Sequence, residues 1–389
     1  MKRPIISILL ILAVAGAGLF AASQFAKKYA ASQRTPKTVQ KTQNFDSDEL
    51  VKYQINDAKD RLAVCNDGSP GSYFFRPGNE SNSDKWIIHL KGGGSCGSEE
   101  SCANRWETKR NLMTSKILKD TMEGEGILSN DPELNPDFYN FNHVYVYYCS
   151  SDTHSGDSEQ EIEGRIVQFR GQRIIDSLLE DLKNPDIVGG KTLEEASEVL
   201  LTGSSAGGNA VIRNLETVVN AVPDAEVKAI DDSGWNQFHQ VDPYAPTPEQ
   251  EFVTSAEDSY AFMNSRVNSE CVAANSAEPW VCQKTQTAIS YYDTPIFLTV
   301  FQRDSNQLGK AGIDNINDSD QKAYVDEYAR LTRESMDLVD AGFCSYNHTH
   351  TSLTSDRFNR FKIDDITLQE AIGNWYFDRS GPTKLIEQP

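Results

Sequence analysis

Five short stretches, KWIIHL (85–90), HVYVYY (143–148), EVLLTG (198–203), VKAID (227–231) and PIFLTVF (295–301), run nearly continuously apolar. Strands of that kind need cover on both faces, the condition met by a parallel sheet between layers of helix. Between them, residues 163–182 and 207–222 space their apolar positions three and four apart, the helical period. The alternation predicts an α/β fold built on a mostly parallel sheet flanked by helices. Residues 236–290 break the rhythm with Pro, Asn, Ser and acidic side chains and read as an inserted, cap-like segment over the sheet's carboxyl edge.

The start of the chain is of a different kind. Residues 1–22 combine a short basic start, an apolar run and small residues, the pattern of an export signal. The run, about 19 residues, is also long enough to span a bilayer as a retained anchor. Residues 23–50 are polar, rich in Lys, Gln, Ser and Thr, and read as a linker. Residues 51–389 then read as one folded unit with no internal repeat. A formal charge of −20 sets an acidic surface against nucleic acid and anionic membrane as partners. Membrane contact is left to the possible N-terminal anchor, and the unit is expected to be a monomer.

Export changes the reading of the seven cysteines, which are expected to pair outside the cytoplasm and leave one over. Cys96 and Cys102 lie close enough to clip one loop and Cys271 and Cys282 another. Cys65 with Cys149 forms the long-range bridge, and Cys344 is left free. Neither a CxxC pair nor His-rich spacing points to a metal, and no cofactor is implied.

The stretch LLTGSSAGG (200–208) contains G-x-S-x-G directly after a strand and before a helical segment, the context a nucleophile elbow requires. Small residues permit a strained turn that lifts the Ser205 hydroxyl clear of the sheet, whereas an ordinary turn would use that serine only as a helix cap. Oxyanion donors are expected from the Ala206 backbone N–H and from the glycine run of HLKGGGSC (89–96), at Gly93 and Gly94. An acid and a base must follow in the order Ser, Asp, His. Asp304 comes just after the last apolar strand, and only His348 and His350 lie beyond it. One of the two is expected to take the Ser205 proton. His89 and His143, inside apolar strands, read as core groups.

Several of these stretches together resemble the pectin acetylesterases and the related Notum-type carboxylesterases, which are α/β-hydrolase-like serine esterases. The matching segments are WIIHLKGGGSC with Cys102 after it, YYCSSDTHSGD, FRGQRI, LTGSSAGGNA, DSGW and DTPIFLTVFQRDSNQLG, in the family's order across roughly residues 60–375. The resemblance implies Ser205 as nucleophile, Asp304 as acid and Gly93, Gly94 and Ala206 as oxyanion-hole backbone. It also implies the Cys96–Cys102 and Cys65–Cys149 bridges. Alignment on FKIDDITLQEAIGNW favours His350 as base, with His348 the alternative. Lys91 and Ser95 depart from the family pattern, which tends to an acidic residue and a bulky aromatic there.

The expected activity is that of a serine esterase acting outside the cytoplasm, secreted, periplasmic or membrane-anchored. Through an acyl-enzyme it removes O-acyl groups, acetyl foremost, from a polysaccharide such as pectin. Trp235 is expected to line the alcohol or acyl pocket. The alternatives are a Notum-like deacylase of longer chains on lipid or protein, a serine peptidase, and a binding protein on a hydrolase scaffold. Asn-x-Ser/Thr sites occur at Asn79, Asn317 and Asn347, the last beside the expected base.

Overall fold

The structure, a computed structural model, describes residues 49–79, 84–235 and 248–389, the side chains of 248–255 excepted. The expected signal or anchor at 1–22 and most of the linker at 23–50 lie outside the described residues. Leu50, the last residue of that linker, is buried in the first strand and paired with Met122.

The strands are β1 (Leu50–Gln54), β2 (Ser72–Arg76), β3 (Lys85–Leu90), β4 (Thr121–Met122), β5 (Asn142–Val146), β6 (Ser158–Ile162), β7 (Arg165–Phe169), β8 (Glu198–Ser204), β9 (Glu226–Asp232), β10 (Ile296–Phe301), β11 (Ala341–Ser345), β12 (Lys362–Ile363), β13 (Ile366–Thr367) and β14 (Lys384–Ile386). Ten form one sheet in the order β14-β11-β10-β9-β8-β3-β5-β2-β1-β4. From β14 to β5 every neighbouring pair is parallel. β2, β1 and β4 complete one edge through antiparallel pairings. All five expected apolar strands are present, and each lies in the parallel part.

Alternate residues of the central strands enter different cores, which is why these strands lack a polar face. Trp86, Ile88 and Leu90 of β3 join Val199 and Leu201 of β8 against the helices Gly171–Leu182 and Ala206–Ala221. Ile87, Leu200, Ile230, Phe297 and Phe343 pack on the other side, with the helix Leu368–Tyr376. The chain leaves β3 for β5 on one side and returns to β8 on the other. That reversal of strand order falls at β3 and β8, whose carboxyl ends are where open α/β sheets of this kind bind their ligands.

The helix expected over 163–182 begins only at Gly171. Glu163 (φ 48°) and Gly164 (φ 73°) form a tight turn, and β6 and β7 pair across it as a hairpin. The apolar residues that mimicked a helical stripe, Val167 and Phe169, instead pack with Ile162, Cys96 and Cys102. The described part of the expected cap is helical: Pro248–Met263, Ser269–Ala274, a 3-10 turn at Pro279–Gln283 and Thr285–Ala288. It rests against the loop after β5, where Asp157 N–H donates to Met263 O at 2.9 Å, and against the first turn after Ser205, where Thr285 Oγ1 and Asn209 Oδ1 are 3.0 Å apart. Cys65–Cys149, Cys96–Cys102 and Cys271–Cys282 are bonded, and Cys344 is free and buried.

Candidate active site

β8 ends at Ser204, the helix Ala206–Ala221 follows, and Ser205 between them stands at φ 60°, ψ −121°. A positive φ strains any residue but glycine, and it persists only where the surroundings fix it. Close contacts supply that fixing. A Cβ at Gly203 would come within 2.2 Å of Gly207 O, and one at Gly207 within 1.9 Å of Leu90 O. Glycines at both flanks let the turn close upon β3, and Ser205 N–H donates to Asp232 O at 2.7 Å.

Two later loops converge on the Ser205 hydroxyl. β10 runs into Asp304, which caps the short helix Ser305–Lys310 by accepting from Asn306 N–H at 2.9 Å and Gln307 N–H at 3.0 Å through Oδ1. Its other oxygen, Oδ2, lies 2.7 Å from His350 Nδ1. β11 leads into the loop that carries His350, and Ser305 N–H donates to Thr349 O at 3.1 Å, tying the two loops together. His350 Nε2 lies 2.8 Å from Ser205 Oγ. A neutral ring that donates Nδ1–H to the carboxylate leaves Nε2 free to accept the serine proton. Asp304 is buried, while the His350 side chain keeps 17% of its surface exposed, open to a substrate. His348 is exposed.

The glycine run passes directly beside the serine. A Cβ on Gly92 would lie 2.9 Å from Ser205 Cβ and 2.3 Å from Ser204 O. Gly93 and Gly94 follow at φ 151° and 68°. Arg105, buried, donates from Nη2 to Gly93 O at 2.9 Å and from Nε to Ser151 Oγ at 2.8 Å. In a trans peptide the C=O and the following N–H point opposite ways, so anchoring Gly93 O fixes the direction of Gly94 N–H. Of the two departures from the family pattern, Lys91 donates to Gly92 O at 3.2 Å and Ser95 is exposed. Burial, with the Arg105 charge, holds the Lys91 ammonium below its ordinary pKa.

Beneath the elbow Asp231 and Asp232 are fully buried. Burial pushes Asp231 up to about 8, against a hydrogen bond from Gly234 N–H, and the Asp232 charge pushes the same way. Asp232 is also raised by burial, against donors that hold it down. His89 and His143 are buried as expected, and burial drives both down to about 3.

Trp235 departs from expectation. Rather than lining a pocket it is 3% exposed and packs with Leu298, Val300, Met336, Val339 and Cys344. Its indole N–H donates to Ser335 Oγ at 2.9 Å. The apolar covering of β10 and β11 takes up the ring, and the N–H finds a partner inside. Arg105 and Asp232 were not singled out by the sequence. DSGW marks the position of Asp232, but a lone Arg on the helix Glu99–Thr108 carries no comparable signal.

The chain is similar to known proteins over most of its length. The Pectinacetylesterase family profile matches residues 43–389. Pectin acetylesterase 5 of Arabidopsis thaliana is 31% identical over 372 residues, 88% of this chain and 83% of that one. Palmitoleoyl-protein carboxylesterase notum1' of Xenopus laevis is 31% identical over 350 residues, 86% of this chain and 68% of its own length. The solved structure of the Wnt deacylase Notum from Drosophila superimposes with a TM-score of 0.77 at 30% identity, covering 88% of this chain and 97% of that one. With an α/β-hydrolase-like sheet and this extent of likeness, the chain belongs to the pectinacetylesterase family and is a carboxylic ester hydrolase.

Proposed function

We propose that the protein is a serine esterase using Ser205, His350 and Asp304 to remove acetyl groups from hydroxyls of a polysaccharide such as pectin, outside the cytoplasm. The observation that carries this reading is the placement of His350, 2.8 Å from Ser205 Oγ and 2.7 Å from Asp304 Oδ2. Ser205 Oγ attacks the ester carbonyl while His350 Nε2 takes its proton. Asp304 holds the imidazole by Nδ1–H and stabilises the imidazolium. Backbone N–H groups of Gly93, Gly94 and Ala206 receive the oxyanion. Collapse breaks the bond to the sugar oxygen, which takes the proton back from His350 and leaves as the alcohol. Water, giving its proton to the same nitrogen, then attacks the acyl carbonyl, and collapse breaks the bond to Ser205 Oγ, which takes that proton from His350 as the acid is released. The three disulfides fit a compartment outside the reducing cytoplasm.

The similarity to Notum supports a second reading in which the acyl chain is longer and sits on lipid or protein. Hydrolysis of p-nitrophenyl esters from acetate to palmitate, with acetate release from acetylated pectin alongside, separates the two. Activity confined to short chains, together with release from pectin, is expected. A maximum at long chains with no release from pectin overturns the polysaccharide reading. Absence of hydrolysis at every chain length favours a binding protein on a hydrolase scaffold.

A further inference from the structure

Asp232 ends β9 with its carboxylate wholly buried. Such a charge is costly unless donors replace its water. Here the donors come from two directions. Ser204 Oγ–H, on the residue before Ser205, donates to Oδ2 at 2.7 Å. Ser352 N–H and Leu353 N–H, two and three residues after His350, donate to the same oxygen at 2.9 and 3.1 Å. Ser352 and Ser233 hydroxyls reach Oδ1 at 3.1 and 3.4 Å. The backbone carbonyl of Asp232 accepts Ser205 N–H at 2.7 Å. Between His350 and Ser352, Thr351 is held at φ 63° with its N–H donated to Ser233 Oγ at 3.2 Å.

One side chain therefore joins the turn that carries Ser205 to the loop that carries His350. Backbone N–H groups have no rotamers, so an acceptor that binds two successive ones fixes the path of the loop. We infer that Asp232 is a positioning residue that sets the separation of Ser205 Oγ and His350 Nε2; the inference rests on the serine-esterase reading above. Asp304 orients the imidazole about its ring, whereas Asp232 holds the backbone from which the imidazole hangs. Misplacement of reacting groups by about 1 Å costs on the order of 100-fold in rate.

The test compares Asp232→Ala and Asp232→Asn with wild type on p-nitrophenyl acetate, measuring kcat per folded molecule, KM, fluorophosphonate labelling of Ser205 and thermal unfolding. An asparagine can keep one oxygen for Ser204, Ser352 and Leu353 and turn its NH2 toward the Ser233 and Ser352 hydroxyls, which can accept. Asp232→Ala is expected to lower kcat about 100-fold with KM within about threefold, and Asp232→Asn to restore at least about tenfold of that loss. Labelling of Ser205 should slow in parallel with kcat. Wild-type kcat per folded molecule in Asp232→Ala, with only its melting temperature lowered, overturns the inference and leaves Asp232 a stability residue. If Asp232→Ala does not fold, Asp232→Glu decides, because it keeps a carboxylate but moves it by one methylene from Ser352 N–H and Leu353 N–H: a fall in kcat at unchanged KM supports the inference, and wild-type kcat overturns it. A folded wild-type protein that neither hydrolyses ester nor takes the label overturns the serine-esterase reading itself, a result distinct from each of these.

Discussion

His350 faces Ser205 across 2.8 Å, while His348, two residues earlier on the same loop, is exposed. The histidine that the alignment favours and its alternative thus differ sharply in the fold. His350→Ala is expected to reduce ester hydrolysis by ~10⁴-fold, the order seen when a serine hydrolase loses its base, whereas His348→Ala should stay within about threefold of wild type. Steady-state kinetics of the two variants on p-nitrophenyl acetate check the ranking, and the reverse order would make His348 the base.

Asp304 offers one oxygen to a helix N-terminus and the other to the imidazole. Asp304→Asn keeps the shape but turns the ring toward the tautomer that cannot accept at Nε2. We expect kcat to fall by ~10³- to 10⁴-fold with little change in KM. Circular dichroism should show an intact fold, because Asn caps a helix about as well as Asp.

Gly207→Ala tests the closeness of the elbow to β3. The added Cβ would sit 1.9 Å from the Leu90 carbonyl, backbone that cannot step aside. A loss of about 3 kcal/mol, with activity falling further than stability explains, is expected in urea unfolding and kinetics. Gly190→Ala, where a Cβ meets no atom within 4 Å, serves as the control and should stay within about 0.5 kcal/mol of wild type.

These contacts also mark how far sequence carries. The five apolar strands, the elbow and the three disulfide pairs were legible because each depends on local pattern or on few partners. The β6–β7 hairpin was not, because Val167 and Phe169 fall at helical spacing and only the turn at Glu163 and Gly164 betrays the reversal. Trp235 was misplaced because an aromatic after a strand reads equally as pocket lining or core; its burial against Leu298 and Met336 depends on residues far along the chain. The grip of Asp232 on the loop after His350 spans 120 residues, beyond any local pattern.

Buried Asp231 gives the protein a pH-dependent stability. Burial raises its folded pKa to about 8, above the ordinary value near 3.8, so the folded state holds this proton more tightly than the unfolded chain. The contribution is fully present below about pH 4 and is lost as pH rises through 8. Asp152, raised by burial to about 6, acts with the same sign over a narrower window. The melting temperature of wild type should fall between pH 5 and pH 9 relative to Asp231→Asn, which carries no such proton. Parallel curves for the two proteins would contradict a neutral Asp231.

Catalysis by this route passes through an acylated Ser205, and trapping that species is the decisive experiment. Wild type mixed with p-nitrophenyl acetate, quenched in acid within the first turnovers and digested, should yield one acetyl group on the peptide containing Ser205. The adduct should be absent from Ser205→Ala and should accumulate when His350 is replaced only if deacylation slows more than acylation. Active wild-type protein that carries no acetyl on Ser205, or carries it on another residue, would rule out Ser205 as the nucleophile.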